Sequence, residues 1–172
     1  MTLDESIAAT LQKWRSQRVH FRPGASAETI QFFEQTYGVV MPTDLKTFFF
    51  AVDGMGGTEM WEKDSDMLAF WPLPTPDDLA SPGTTITHVA PLRTAWPAAP
   101  ETPHDLFVLG DWSIMCFVFC VRIPATQTDT SELYFYDGEL LCRIASSLGE
   151  FLHRYVQHGL DALWPREPNV AS

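Results

Sequence analysis

A chain of 172 residues with 45% apolar content is long and apolar enough for one folded domain with a sizeable core, which excludes a disordered chain. Its formal net charge of −11 disfavours nucleic-acid binding, because phosphate contacts need basic surface. No run approaches the roughly 20 apolar residues that span a bilayer, and the acid-bearing start is no signal peptide, so the expected compartment is the cytoplasm.

Asp4 to Gln17 reads as a first helix, with Ile7, Leu11 and Trp14 on one face. Pro23-Gly24 is a turn signal, and Ser26 is a good N-cap for a second helix with Glu28 in its first turn. Ile30, Phe33, Glu34 and Tyr37 keep helical spacing, and Gly38 is a natural stop. Pro42 and Thr43 open a third helix, where Leu45, Phe48, Phe49 and Val52 form one apolar stripe. Asp53-Gly54 ends it. A Gly-rich acidic loop runs from Gly54 to Asp66, and Met67 to Leu73 reads as a strand. Asp77 to Leu79 makes one helical turn, and the Pro-rich stretch from Pro82 to Pro103 reads as an irregular insertion.

Leu106 to Leu109 reads as a strand, Gly110-Asp111 as a turn, and Ile114 to Ile123 as a second strand. Ile114 to Val121 is apolar throughout, as expected of a central strand covered on both faces. Leu133 to Tyr136 and Glu139 to Ile144 flank Asp137-Gly138, a type I′ hairpin signal. Ser147 and Glu150 form a capping box for the last helix, with Leu148, Phe151, Leu152, Tyr155 and Val156 as its core stripe and Gly159 as its stop. The order predicts a single α+β domain over residues 1–168: N-terminal helices, an antiparallel sheet of about five strands, and a C-terminal helix. Residues 169–172 are expected to fray.

The chemistry-bearing side chains form no recognisable catalytic motif. Gly110 and Ser113 do not make a nucleophile elbow, since no glycine follows the serine. The acids from Glu59 to Asp66 lack the spacing of a calcium loop, and no Cys-x-x-Cys pair suggests zinc. In a strand, Cys116 and Cys120 would stand roughly 13 Å apart, too far for a disulfide. An enzyme would have to combine His104 with Asp105 or Asp111. The expectation is therefore no enzyme, cofactor or metal.

Charge is uneven along the chain. Residues 53–111 carry ten acids against Lys63 and Arg93, whereas residues 1–52 are balanced. Such acidity either keeps the protein soluble or favours a basic protein partner. Acids beside aromatics supply the rim and anchors that a binding surface needs, although a tryptophan in a globular chain is more often core, Trp71 and Trp112 above all. Glu59, Trp61, Glu62, Asp64, Asp66, Asp77 and Asp78 are the expected partner-facing residues, followed by Asp111 and Trp112.

The stretch from Phe21 to Gly54 resembles the opening of the SUKH superfamily, which holds the fungal cell-wall assembly regulator and many bacterial immunity proteins. The matching elements are Pro23-Gly24, Phe33-Glu34, Gly38, Met41-Pro42, Asp44 to Phe50, and Asp53-Gly54. Met41 stands where Leu is usual and Asp53 where Asn is usual. Leu106 to Ile123 resembles the family's central strand pair, and Ile144 to Gly159 its closing helix. The resemblance implies a non-enzymatic binding protein that neutralises a basic toxin domain, such as a nuclease, by stoichiometric binding. A regulatory or scaffolding domain without a toxin partner is the alternative. No membrane partner is expected, and the oligomeric state stays open.

Overall fold

The computed structural model describes residues 1–56, 62–80, 86–98 and 102–164. Helix α1, Leu3–Ser16, starts on a capping box: the Thr2 hydroxyl accepts from the Glu5 N–H, and the Glu5 carboxylate accepts from the Thr2 N–H. It buries Ile7 and Trp14, together with Ser6 and Thr10, whose hydroxyls donate to carbonyls one turn back. Helix α2, Ala27–Tyr37, is capped by Ser26 and stops at Gly38, left-handed with φ 66°.

Helix α3, Thr43–Ala51, follows Pro42 and buries Leu45, Phe48 and Phe49. Two of its first N–H groups donate across to the Thr128 and Asp129 carbonyls, at 3.0 and 3.1 Å. The helix ends earlier than its apolar stripe implies, because Val52 leaves it for strand β2, Val52–Met55, which pairs antiparallel with β1, Phe21–Pro23. The sequence predicts neither strand: one contains a proline and the other a glycine, both poor strand formers. Gly24 has a packing reason, since a Cβ there would lie 1.8 Å from the Phe50 carbonyl oxygen.

The main sheet contains β3 (Leu68–Phe70), β4 (Ala90–Pro91), β5 (Leu106–Trp112), β6 (Phe117–Arg122), β7 (Leu133–Tyr136) and β8 (Leu141–Ala145). Its order is β3-β5-β6-β7-β8, with β4 also beside β5, and every pairing is antiparallel. The α+β class stands, with six strands here rather than about five. The expected turn at Gly110-Asp111 is corrected, because β5 runs through both residues and the connection is Ser113–Cys116. A bulge between Val108 and Gly110 bends β5, and Gly110 is needed because a Cβ would lie 2.1 Å from the Ala69 carbonyl oxygen of β3. The β7–β8 link is longer than a two-residue turn. The Asp137 carboxylate accepts from the Glu139 and Leu140 N–H groups, so residues 137–140 form the connection.

Both faces of β6 are covered, as its unbroken apolar run predicts; Phe117 to Val121 are all buried. Helix α6, Leu148–His158, lies on one face beside α1, with Phe119 against Phe151 and Phe70 against both Tyr155 and Trp14. Within the Pro-rich stretch, β4 leads into the short helix α5, Leu92–Ala95, and Trp96 then packs edge-on against Tyr136 on the other face. Only half of the capping box predicted for α6 forms. Ser147 Oγ accepts from the Glu150 N–H, but the Glu150 carboxylate binds the N–H and hydroxyl of Ser146. No helix among the described residues is long and apolar enough to cross a membrane.

Strand direction sorts the loops into two ends. The residues entering β3, the β5–β6 turn, the β7–β8 turn and the one-turn 3₁₀ helix after α6, Gly159–Ala162, share one end. The segment leaving β3, with helix α4 at Pro76–Ala80, lies at the other.

Candidate functional site

Five of the nine expected partner-facing residues meet at the first of these ends, around the start of β3 and the end of β5. Leu68 pairs with Trp112 and Ala69 with Asp111, which brings residues 62–66 against the tip of the β5–β6 hairpin. The Trp112 indole N–H donates to the Asp66 carbonyl at 2.9 Å, and its ring stacks nearly parallel on Phe117 at 4.9 Å. Glu59 and Trp61 lie outside the described residues.

Two of the five, Asp64 and Asp111, point inward, so at this end they stand beneath the surface rather than on it. Asp64 is buried. Its Oδ1 accepts from the Asp66 and Leu68 N–H groups, both at 2.9 Å, and its Oδ2 accepts from the Tyr155 hydroxyl. That hydroxyl in turn accepts from the Trp14 indole N–H at 2.9 Å, so one carboxylate joins the loop to α6 and α1. Burial pushes the Asp64 carboxyl above its ordinary range, opposed by the bonds from Tyr155 and Leu68. Burial, with the Asp64 charge beside it, likewise pushes the Tyr155 hydroxyl up. Asp111 is also buried: it accepts from the Trp71 indole N–H at 2.8 Å and from the Met115 N–H at 3.3 Å. These carboxylates fix the loops rather than face solvent.

The other members keep exposed surface. Asp66 pairs with Lys13 at 2.9 Å and remains partly open, while Lys13 also lies 4.1 Å from the centre of the Tyr155 ring. Glu62 accepts from the His20 N–H at 3.0 Å. Asp77 and Asp78 are exposed but sit apart, on α4 at the opposite end of the sheet. Asp78 accepts from the Thr75 N–H and hydroxyl, both at 2.7 Å, and so caps its own helical turn.

His104, Asp105 and Asp111 each have a separate partner. The His104 ring meets Arg93 at 3.4 Å, Asp105 meets Arg122 at 3.3 Å, and Asp111 is held by Trp71. Cys116, Cys120 and Cys142 are all free thiols, with Cys116 in the β5–β6 turn rather than in a strand. Among the described residues, no group of three or more His, Cys, Asp or Glu is placed to hold a metal ion.

The same end of the sheet carries side chains that the sequence places in strands and in the tail. Met67, Ile114, Leu140 and Trp164 are exposed there, and Trp164 packs on Phe117 and Phe135 at 5.5 and 5.7 Å. A signal for them exists. Alternate hairpin turns of an antiparallel meander fall at one end, so correct turn placement would have grouped Ile114 with Leu140.

No curated protein matches the chain. The SMI1 / KNR4 family (SUKH-1) matches it over residues 24–154, from the turn before α2 into the second turn of α6, and the chain belongs to that family.

Proposed function

We propose that this chain is a non-enzymatic protein-binding domain, and specifically a cytoplasmic immunity protein that neutralises a basic toxin domain by stoichiometric binding. The carrying observation is membership of the SUKH-1 family over most of the chain. The net charge of −11 supports a basic partner, and a nuclease, with its basic nucleic-acid groove, is the toxin class such a field suits best. Buried carboxylates such as Asp64 and Asp111, engaged in internal hydrogen bonds, fit a rigid recognition scaffold better than a reaction centre.

The test is co-expression of the chain with each toxin domain encoded beside its gene. Restored growth, together with a complex of defined stoichiometry from purified components, is the expected result. No rescue from any neighbouring toxin would remove the immunity reading. The regulatory or scaffolding alternative would then be the one to pursue.

A further inference from the structure

Four of the seven large apolar side chains exposed among the described residues stand at one end of the main sheet: Ile114 (58%), Leu140 (50%), Trp164 (46%) and Met67 (44%). They come from four separate segments: the Ser113 N–H donates to the Met67 carbonyl at 3.0 Å, Trp164 packs on Phe117, and Leu140 stands in the turn after Tyr136, which pairs with Val118 near the start of β6. The backbone at two of them, Met67 and Ile114, is strained. Among the described residues, five non-glycine positions have positive φ, and four are here: Met67 (66°), Ser113 (47°), Ile114 (60°) and Met115 (64°). A β-branched residue in the left-handed region is an outlier, held there by its surroundings. Here those surroundings display an isoleucine to solvent, where asparagine or glycine would sit without strain and without apolar exposure.

Charge identifies what this surface fits. Residues 62–67, 113–116, 137–140 and 159–164 together carry five acids that keep exposed surface, Glu62, Asp66, Asp137, Glu139 and Asp161, against the single base Lys63. The bordering cations, Lys13, Arg15 and Arg18, stand at the end of α1, and Lys13 is tied to Asp66. A second copy of the chain would bring the same acids face to face, so self-association is opposed. A partner with apolar side chains ringed by Lys and Arg is matched in both polarity and charge.

We propose that this end of the sheet, centred on Met67, Ile114, Leu140 and Trp164, is the docking surface for a basic protein domain that presents an apolar knob. The inference rests on the toxin-binding reading and names the surface that would perform it. α4, with Asp77 and Asp78, lies outside it.

The experiment uses the full chain and, as probes, the basic toxin domains encoded beside its gene. The double variant Ile114→Asn/Leu140→Asn is expected to melt at or above the wild-type temperature, because asparagine relieves the strained turn, and to bind about tenfold more weakly or worse. Phe50→Asn, at an equally exposed residue on α3, is expected to bind as wild type does. A folded double variant that binds within about twofold of wild type would overturn the surface and leave the toxin reading intact. Weakening by Phe50→Asn alone would do the same. Wild type that binds none of the domains overturns the toxin reading, and this surface with it. Sedimentation of the chain alone is expected to show a monomer; a concentration-dependent dimer abolished by the double variant would assign the surface to self-association and overturn the basic-partner proposal.

Discussion

The Asp44 side chain ties the start of α3 to the start of α6 and to the loop before β7. Buried at the start of α3, it accepts from the Ser131 N–H at 2.9 Å, the Ser131 hydroxyl at 2.5 Å and the Leu148 N–H at 3.1 Å. It thereby satisfies one of the free N–H groups at the start of α6. Asp44→Ala should cost about 3 kcal/mol or more, because it leaves several buried donors unpaired, and Asp44→Asn should cost less because one oxygen remains. Urea denaturation of both variants measures the difference. From the sequence Asp44 reads only as a helix-dipole acid, since its partners lie 87 and 104 residues away and no local pattern reveals them. Asp64 gives a second prediction at this scale. Its folded-state carboxyl titrates above the unfolded value, so the folded state holds the proton more tightly and stability falls as pH rises through that interval. Asp64→Asn removes this titration. The stability of wild type relative to Asp64→Asn should therefore decline from about pH 4 upwards, to a plateau above the raised value. A difference that instead grows with pH would show that the bonds from Tyr155 and Leu68 outweigh burial.

Among the elements, helices were the most legible and strand ends the least. Ser26, Gly38 and Ser147 carry their capping chemistry in their own side chains or lack of one, and each terminus falls where the sequence places it. The β5–β6 hairpin shows the opposite. Gly110-Asp111 looks like a turn because glycine and aspartate favour turns, yet glycine is required here by the close approach of β3 and aspartate by the Trp71 indole. The true turn uses Ser113, Ile114 and Met115, none of which signals a left-handed backbone. That displacement hid the grouping of exposed apolar residues. The role of Gly110 is open to measurement: Gly110→Ala should break the β3–β5 pairing. The expected result is early exchange of the Trp71 N–H, which donates to the Leu109 carbonyl, and a loss of several kcal/mol in denaturant.

For the whole molecule, the decisive quantity is the field rather than any one pair. Surface ion pairs such as Lys46–Glu34 and Arg143–Glu132 add little stability, but a net charge of −11 acts well beyond contact distance at low salt. Association with a basic partner should therefore slow by about tenfold or more as salt is raised past the point where the Debye length falls below about 10 Å. Dissociation should change far less, because the exposed apolar side chains hold the complex once formed. Stopped-flow measurement across a salt series separates the two rates. A rate of association indifferent to salt would make the acidity a solubility device.

The packing of α1 on α6 has a consequence for how this domain can be inherited and moved. The family match begins at residue 24 and ends at 154, so it leaves out Trp14, Phe21, Tyr155 and Trp164. Trp14, Tyr155 and Trp164 cover Phe70, Phe117 and Phe135, Phe21 packs on Trp14, and the Trp14–Tyr155–Asp64 chain of hydrogen bonds anchors the loop that leads into β3. The recognisable unit is thus smaller than the unit that folds. A gene fragment cut at the match boundaries would carry the family's signature and a bare aromatic face, and expression of residues 24–154 alone should yield aggregate. Any recombination that transplants this protein between genomes, or any fusion built from it, has to carry the first helix along, although that helix lies outside the signature by which relatives are recognised.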